Sequence, residues 1–450
     1  MLARFGVVVV VLLLVGAAVS AQAASSSSQV VIIGIDGLDP DLLQAKLKKG
    51  ELPNFARFVD GAYFTRYDSE APLRSPAIWT TVATGQHRSQ HGIWDFVTGS
   101  KLWPEELRDK HKYRLMTSND RKVRALWDYA DAAGLSSTVI NWMVTWPAEK
   151  VRGHIVAPYA SLSKRKLATY KGQIRKDAPR QTHPPEFSAE VAPMVVAPEA
   201  ISEGELAALG DFPPLRDKLY RKAPRLKEFR YGAQWTLAST ETSTRIATHV
   251  MRRYQPALVL VYYDGPDTLG HRFWVFRREV KIIEERLRTI GADTSTAKEL
   301  QRRFAKVVDG YYRVVDAVLG RLMDAAAKDA TFIVLSDHGF GDLRGKPWKD
   351  MEIPYSGSHE KQGLMILRGP KVATLKAGTT LTLYDVAPTA MGVLGIPTPK
   401  ALKGKALLGA ATNQPSIADR RQNSGDSADV EAPDFESEEL ERLRSLGYVE

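Results

Sequence analysis

The chain has 450 residues, 44% hydrophobic and 25% charged, with a formal net charge of +10. This composition is ordinary for a globular protein long enough for one large domain with insertions, or for two domains. The charge favours small anions, and without a basic stripe interleaved with aromatics it makes no case for duplex nucleic acid; the lack of any cysteine excludes disulfides, thiolate metal sites, a cysteine nucleophile and a lipoprotein anchor.

Residues 1–23 have the layout of a secretory signal peptide: Arg4, an apolar stretch over 7–19, and a small-x-small site at Ala21-Gln22-Ala23. The apolar stretch is shorter than the ~20 residues that span a bilayer. A periplasmic or secreted protein with no transmembrane span after cleavage is expected, ahead of an uncleaved anchor. Residues 29–35 read as a buried strand ending at Asp36-Gly37, and Asp39-Pro40 opens a helix to about residue 48. A short helix covers 53–60. Ser75-Pro76 opens another over 75–84, with Ser75 as its cap. Residues 122–133 are helical until Gly134, and 137–140 form a strand ending at Asn141.

From about 160 to 235 the pattern loosens into an insertion or cap above the sheet, part helical, with basic clusters and several prolines. A helix over 236–253 and a strand over 257–262 follow. Residues 277–288 and 296–327 are long helical stretches. A strand over 331–335 runs into Ser336-Asp337-His338-Gly339, and a last strand (363–367) and helix (383–394) close the body. Strands alternating with helices predict an α/β fold: a mostly parallel central sheet with helices on both faces. Residues 24–410 are expected to form the catalytic domain, 411–436 a flexible linker and 437–450 an amphipathic helix stopped by Gly447.

Strand ends and adjoining loops offer ligand-type residues: Asp36 after the first strand, Asp267 and His271 in Asp-Gly-Pro-Asp-x-x-Gly-His, Asp337 and His338 after a third, and His359 in a glycine-bearing loop. Carboxylates and imidazoles at the carboxyl edge of such a sheet suit two divalent ions, zinc first, with manganese able to use the same ligands. Ser75, at a helix amino terminus that favours anions, is the candidate nucleophile.

These motifs resemble the alkaline phosphatase superfamily, in its type I phosphodiesterase/nucleotide pyrophosphatase branch. The matching stretches are Gly34-Ile35-Asp36-Gly37, the run from Ser75 to Gly85 with Gln90-His91-Gly92-Ile93, Pro266-Asp267-x-x-Gly270-His271, Ser336-Asp337-His338-Gly339 and Gly357-Ser358-His359. The resemblance implies the alkaline-phosphatase-like three-layer fold. It implies one metal on Asp36, Ser75, Asp337 and His338, a second on Asp267, His271 and His359, and a phosphoseryl intermediate on Ser75. Two positions depart from the branch. Its nucleotide pyrophosphatases carry threonine where Ser75 stands, and an asparagine phosphate donor where Phe96 stands. Asn141, Arg74 and Lys361 are candidate replacement donors to substrate.

The implied function is an exported two-metal hydrolase of phosphate esters. The substrate would be a small molecule, a lipid headgroup or a glycan. A phosphomonoesterase, or a phosphoryl or headgroup transferase of the same chemistry, stands as the alternative. A non-enzymatic envelope binding protein is disfavoured because no ligand position is lost. A sulfatase is disfavoured because Ala77 and Trp79 stand where that branch has proline and arginine. The oligomeric state stays open.

Overall fold

The computed structural model describes residues 29–409 except 101–102, 104, 106–113, 159–173, 175–178, 215, 223–225, 290 and 344–355. Residues 1–23, 411–436 and 437–450, where a signal peptide, a linker and a terminal helix are expected, lie outside the described residues. Among the described residues, no helix is long and apolar enough to cross a membrane.

The sheet has eight strands: β1 (Val30–Ile35), β2 (Tyr63–Asp68), β3 (Ser137–Ile140), β4 (Gly153–Val156), β5 (Thr182–His183), β6 (Leu258–Tyr263), β7 (Thr331–Ser336) and, after the small strands β8 (Gly339–Asp342) and β9 (Gly357–Glu360), β10 (Gln362–Arg368). Their order is β2-β10-β7-β1-β6-β3-β4-β5. β7, β1, β6, β3 and β4 run parallel, whereas β10 and β5 are antiparallel to their neighbours.

β1 is buried on both faces, which is why it reads as an unbroken apolar run. Its side chains alternate between two cores. Val31, Ile33 and Ile35 join the cluster under the helices Leu226–Tyr254 and Val307–Ala325, and Val30 and Ile32 join the one under Ser75–Thr84 and Val386–Leu394. The described part of the 160–235 insertion packs into the first layer through Phe187, Val191, Leu206 and Leu209.

Several boundaries differ from the sequence reading. The stretch read as one helix over 296–327 is two, Ala297–Phe304 and Val307–Ala325. The helix expected from 236 starts at Leu226; inside it Thr236, Thr240, Thr244 and Thr248 each give their hydroxyl to the carbonyl four residues back.

His91, at the end of the short helix Arg88–His91, is fully buried. Its Nδ1 accepts from the Ile93 N–H at 3.1 Å, so the proton sits on Nε2, which faces Thr81 Oγ1 at 3.1 Å. Burial, reinforced by Arg88, holds its pKa well below the usual histidine value. Below about pH 6.5 the unfolded chain therefore takes up a proton that the native state refuses, and stability falls with falling pH. Urea unfolding of His91→Gln at neutral and mildly acidic pH should show a flatter loss than the wild type. Equal slopes would mean that His91 is charged in the native state.

Candidate active site

The three central strands end together. Gly34 of β1 pairs with Tyr262 of β6 and Leu335 of β7, so Asp36 and Asp337 leave the sheet side by side. Gly37 makes the turn possible. Its φ is +67°, and a Cβ there would stand 2.9 Å from the Cα of Asp267. The Asp267 N–H bonds the Asp36 carbonyl at 3.0 Å, which ties the first strand to the helix carrying the next ligands.

Asp267 and His271 lie on the helix Gly265–Phe273, not in a loop as the sequence suggested. Pro266 takes the first turn, where its missing N–H costs nothing. The four-residue spacing then puts Asp267 and His271 on one face. His359 likewise lies on a strand, β9, paired antiparallel with β8. Ser75 is the first residue of the helix Ser75–Thr84 and not its cap. Arg74 holds the cap position, its carbonyl accepts from Ile78 N–H at 3.0 Å, and no side chain caps the helix.

All six Asp and His candidates converge. His338 Nε2 stands 3.3 Å from Asp36 Oδ1, 3.5 Å from Asp337 Oδ2 and 3.8 Å from Asp267 Oδ1. Asp267 Oδ1 also lies 2.9 Å from His359 Nε2 and 3.3 Å from His271 Nε2. Two ligand groups result, Asp36–Asp337–His338 and Asp267–His338–His359, with His338 common to both. Ser75 is bracketed by their neighbours: the Leu73 carbonyl meets His359 Nδ1 at 3.2 Å, and Trp79 Nε1 meets Asp36 Oδ2 at 3.4 Å.

The donor set fits divalent cations. Each imidazole directs Nδ1 at a backbone carbonyl: His338 at Gly339, His271 at Gly357 and His359 at Leu73. A carbonyl only accepts, so Nδ1 is the protonated nitrogen and Nε2 turns its lone pair inward. The lone pairs of His271 and His359 then face each other at 3.0 Å, which calls for a proton or cation between them. Ligand atoms on one tetrahedral zinc stand roughly 3.3 Å apart, close to the spacings seen. Burial opposes charge on His338, yet the Asp337, Asp36 and Asp267 carboxylates hold its pKa up at about 9. Burial, with His338 alongside, presses His359 down to about 4.

Two supporting residues were not legible in the sequence. The Tyr262 hydroxyl and the Trp79 indole N–H both donate to Asp36 Oδ2, leaving Oδ1 facing His338. Trp79 fits because Gly34 has no Cβ; one would meet its ring at 2.5 Å. Tyr262→Phe keeps the ring contacts with Trp79 and Trp142 but removes one of the two donors that orient Asp36 Oδ2. Metal affinity, read by competition with a chelator, should weaken about tenfold.

The sequence model of the type I phosphodiesterase / nucleotide pyrophosphatase family matches residues 30–382. The chain belongs to that family. Among curated relatives of this family member, a 2,3-bisphosphoglycerate-independent phosphoglycerate mutase of Gloeobacter violaceus is 27% identical over 187 residues, 40% of this chain and 28% of the mutase. The same enzyme of Thermomicrobium roseum is 26% identical over 204 residues, 43% and 31% respectively. The chain thus spans less than a third of the length of these curated relatives. Murine ectonucleotide pyrophosphatase / phosphodiesterase 5 superposes with a TM-score of 0.44 at 12% identity, covering 86% of this chain and 98% of that one. A phosphonoacetate hydrolase from Sinorhizobium meliloti gives 0.41 at 13%, covering 71% and 58%.

The sequence candidates for substrate contact come from three separate segments. Arg74 Nε lies 3.8 Å from Asp95 Oδ1 beside the start of the serine helix. Asn141 is buried, with φ +55° and its amide donating to the Tyr262 carbonyl. Lys361 is exposed between β9 and β10.

Proposed function

We propose that this protein is an exported hydrolase of phosphate esters that works through two divalent ions, zinc first, with Ser75 as nucleophile. The observation that carries this reading is the convergence of Asp36, Asp337 and His338 with Asp267, His271 and His359 at one sheet edge. Three carboxylates in that cluster carry three negative charges. Two bound divalent cations would leave it net positive, would lower the pKa of the serine hydroxyl, and would offset charge on the entering and leaving oxygens.

In this reading Asp36, Asp337 and His338 hold one ion beside Ser75, and Asp267, His271 and His359 hold the other. The Ser75 oxygen attacks phosphorus in line with the ester oxygen, which leaves, and a phosphoseryl group forms. Water then attacks that group and restores the serine. Pro76 and the helix behind it hold Ser75 at the amino terminus, where backbone N–H groups favour the anionic phosphoryl group. Arg74 would contribute a charged donor to its oxygens. Export rests on the signal-like residues 1–23, and the terminal helix at 437–450 would dock on the body or on a partner.

The test is direct. Purified protein should bind about two zinc ions and release aryl alcohol from an aryl phosphate ester. Comparing an aryl diester with an aryl monoester on one preparation separates phosphodiesterase from phosphomonoesterase, and added alcohol acceptor exposes a transferase. Protein that binds no metal and cleaves neither ester would overturn the reading.

A further inference from the structure

The loop from Ser69 to Arg74 leads into Ser75 and touches both ligand groups on the way. At one end Ser69 Oγ donates to the Asp337 carbonyl, and the Ser69 N–H bonds the Lys361 carbonyl at 2.8 Å. At the other end the Leu73 carbonyl accepts from His359 Nδ1 at 3.2 Å. Between these ties Glu70, Ala71 and Pro72 form an exposed crest, while Ser69 and Ser75 on either side are buried. Exposed residues bury little apolar surface, so packing does not fix the crest and polar bonds must.

The bonds to its backbone come from Arg88, which opens the helix Arg88–His91 and is 6% exposed. Its Nη2 donates to the Glu70 carbonyl at 3.1 Å and its Nη1 to the Pro72 carbonyl at 3.3 Å. The Pro72 carbonyl also accepts from the Arg74 N–H at 2.9 Å. The guanidinium and the residue just before Ser75 therefore meet on one oxygen. The buried Arg121 and Arg230 each reach a carboxylate, whereas Arg88 directs both hydrogen bonds at this loop. A guanidinium keeps its proton, and its rigid fork can hold two acceptors at a fixed spacing. The base of Arg88 is tied in turn to the serine helix, where His91 Nε2 meets Thr81 Oγ1 at 3.1 Å. On the outer side only the exposed Glu70 carboxylate is held, by the Tyr384 hydroxyl at 2.5 Å and His87 Nε2 at 3.5 Å.

We propose that Arg88 is a positioning residue, which holds the Glu70 and Pro72 carbonyls and so fixes Ser75 against the two ligand groups. This inference rests on the phosphate-ester reading above and adds the means by which the nucleophile is aligned. Without the guanidinium, water satisfies both carbonyls and the crest is free to lift. Ser75 then shifts at the end of the loop, while the six Asp and His ligands stay on the elements that carry them. A misplacement of roughly 1 Å at a reacting atom costs about 100-fold in rate.

The experiment compares zinc-loaded, full-length variants on an aryl phosphate ester. Arg88→Ala should keep its zinc, with kcat lowered about 100-fold and KM within about threefold of the wild type. Guanidinium ion, at millimolar concentrations too low to denature, should fill the vacated space and raise kcat again by about tenfold, and urea should not. Arg88→Lys keeps the charge but reaches one carbonyl at a time, so its kcat should fall between the two, and it serves where the alanine variant does not fold. Tyr384→Phe loosens only the Glu70 carboxylate and should leave kcat within about twofold. Hydrogen exchange over 69–78, read by mass spectrometry, follows the loop without turnover. It should run about tenfold faster in Arg88→Ala than in the wild type and unchanged in Tyr384→Phe. Equal exchange in Arg88→Ala and the wild type, wild-type kcat in both Arg88 variants, or a loss of kcat that comes with lost zinc and ignores guanidinium overturns the proposal. A wild type that cleaves no ester removes the phosphate-ester reading instead, and exchange over 69–78 then decides alone whether Arg88 holds the loop.

Discussion

Ser75→Ala should lose turnover by about a thousandfold or more while keeping its metal and its fold. The serine is buried at the first position of its helix, and its hydroxyl takes no part in capping. Alanine is a good helix residue there, so the substitution removes the attacking oxygen and little else. Steady-state kinetics on an aryl phosphate ester, with metal analysis and a circular dichroism spectrum of the same sample, read all three quantities. Brief exposure of the wild type to substrate followed by an acid quench should leave phosphate on the peptide containing Ser75, and the alanine variant should show none. A variant that turns over like the wild type would remove Ser75 from the mechanism.

Asp267→Asn should be nearly as damaging, for a different reason. One oxygen of Asp267 lies within 3.8 Å of His338, His359 and His271 alike, so a single carboxylate joins both ligand groups. Asparagine keeps the shape and removes the charge. Bound zinc should fall from about two ions to one or none, and hydrolysis should approach background. The thermal midpoint measured with excess zinc should drop toward that of chelated wild type, because a ligand that binds only the native state stabilises it by mass action, about 4 kcal/mol at a thousandfold excess over Kd. Full metal content in the asparagine variant would show that His271 and His359 hold their ion without it.

Much of this site was legible because its ligands sit where long apolar runs stop. Asp36 and Asp337 terminate β1 and β7, whose unbroken aliphatic stretches announce buried parallel strands. What stayed hidden depends on pairing. β2 mixes charged and aromatic residues because it is the edge strand of the sheet, and β5 is only two residues long. The strands β8 and β9, Gly-Phe-Gly-Asp and Gly-Ser-His-Glu, have no β-branched residue. They are strands because each supplies the other's partners, so His359 looked like a loop residue. Gly265-Pro266 reads as a turn, and it is one, but the turn is the first of a helix. Tyr262 escaped notice because a tyrosine in an aliphatic strand reads as packing, and only the register opposite Gly34 shows its hydroxyl beneath Asp36.

The position of β1 has a consequence for biosynthesis. β1, the earliest of the described strands along the chain, lies mid-sheet, and both of its neighbours, β6 and β7, are encoded far downstream. A nascent chain must carry this oily ribbon with both edges bare until β6 follows, and with one edge bare until β7 does. Such a species is prone to self-association, and delaying its collapse calls for a holding chaperone.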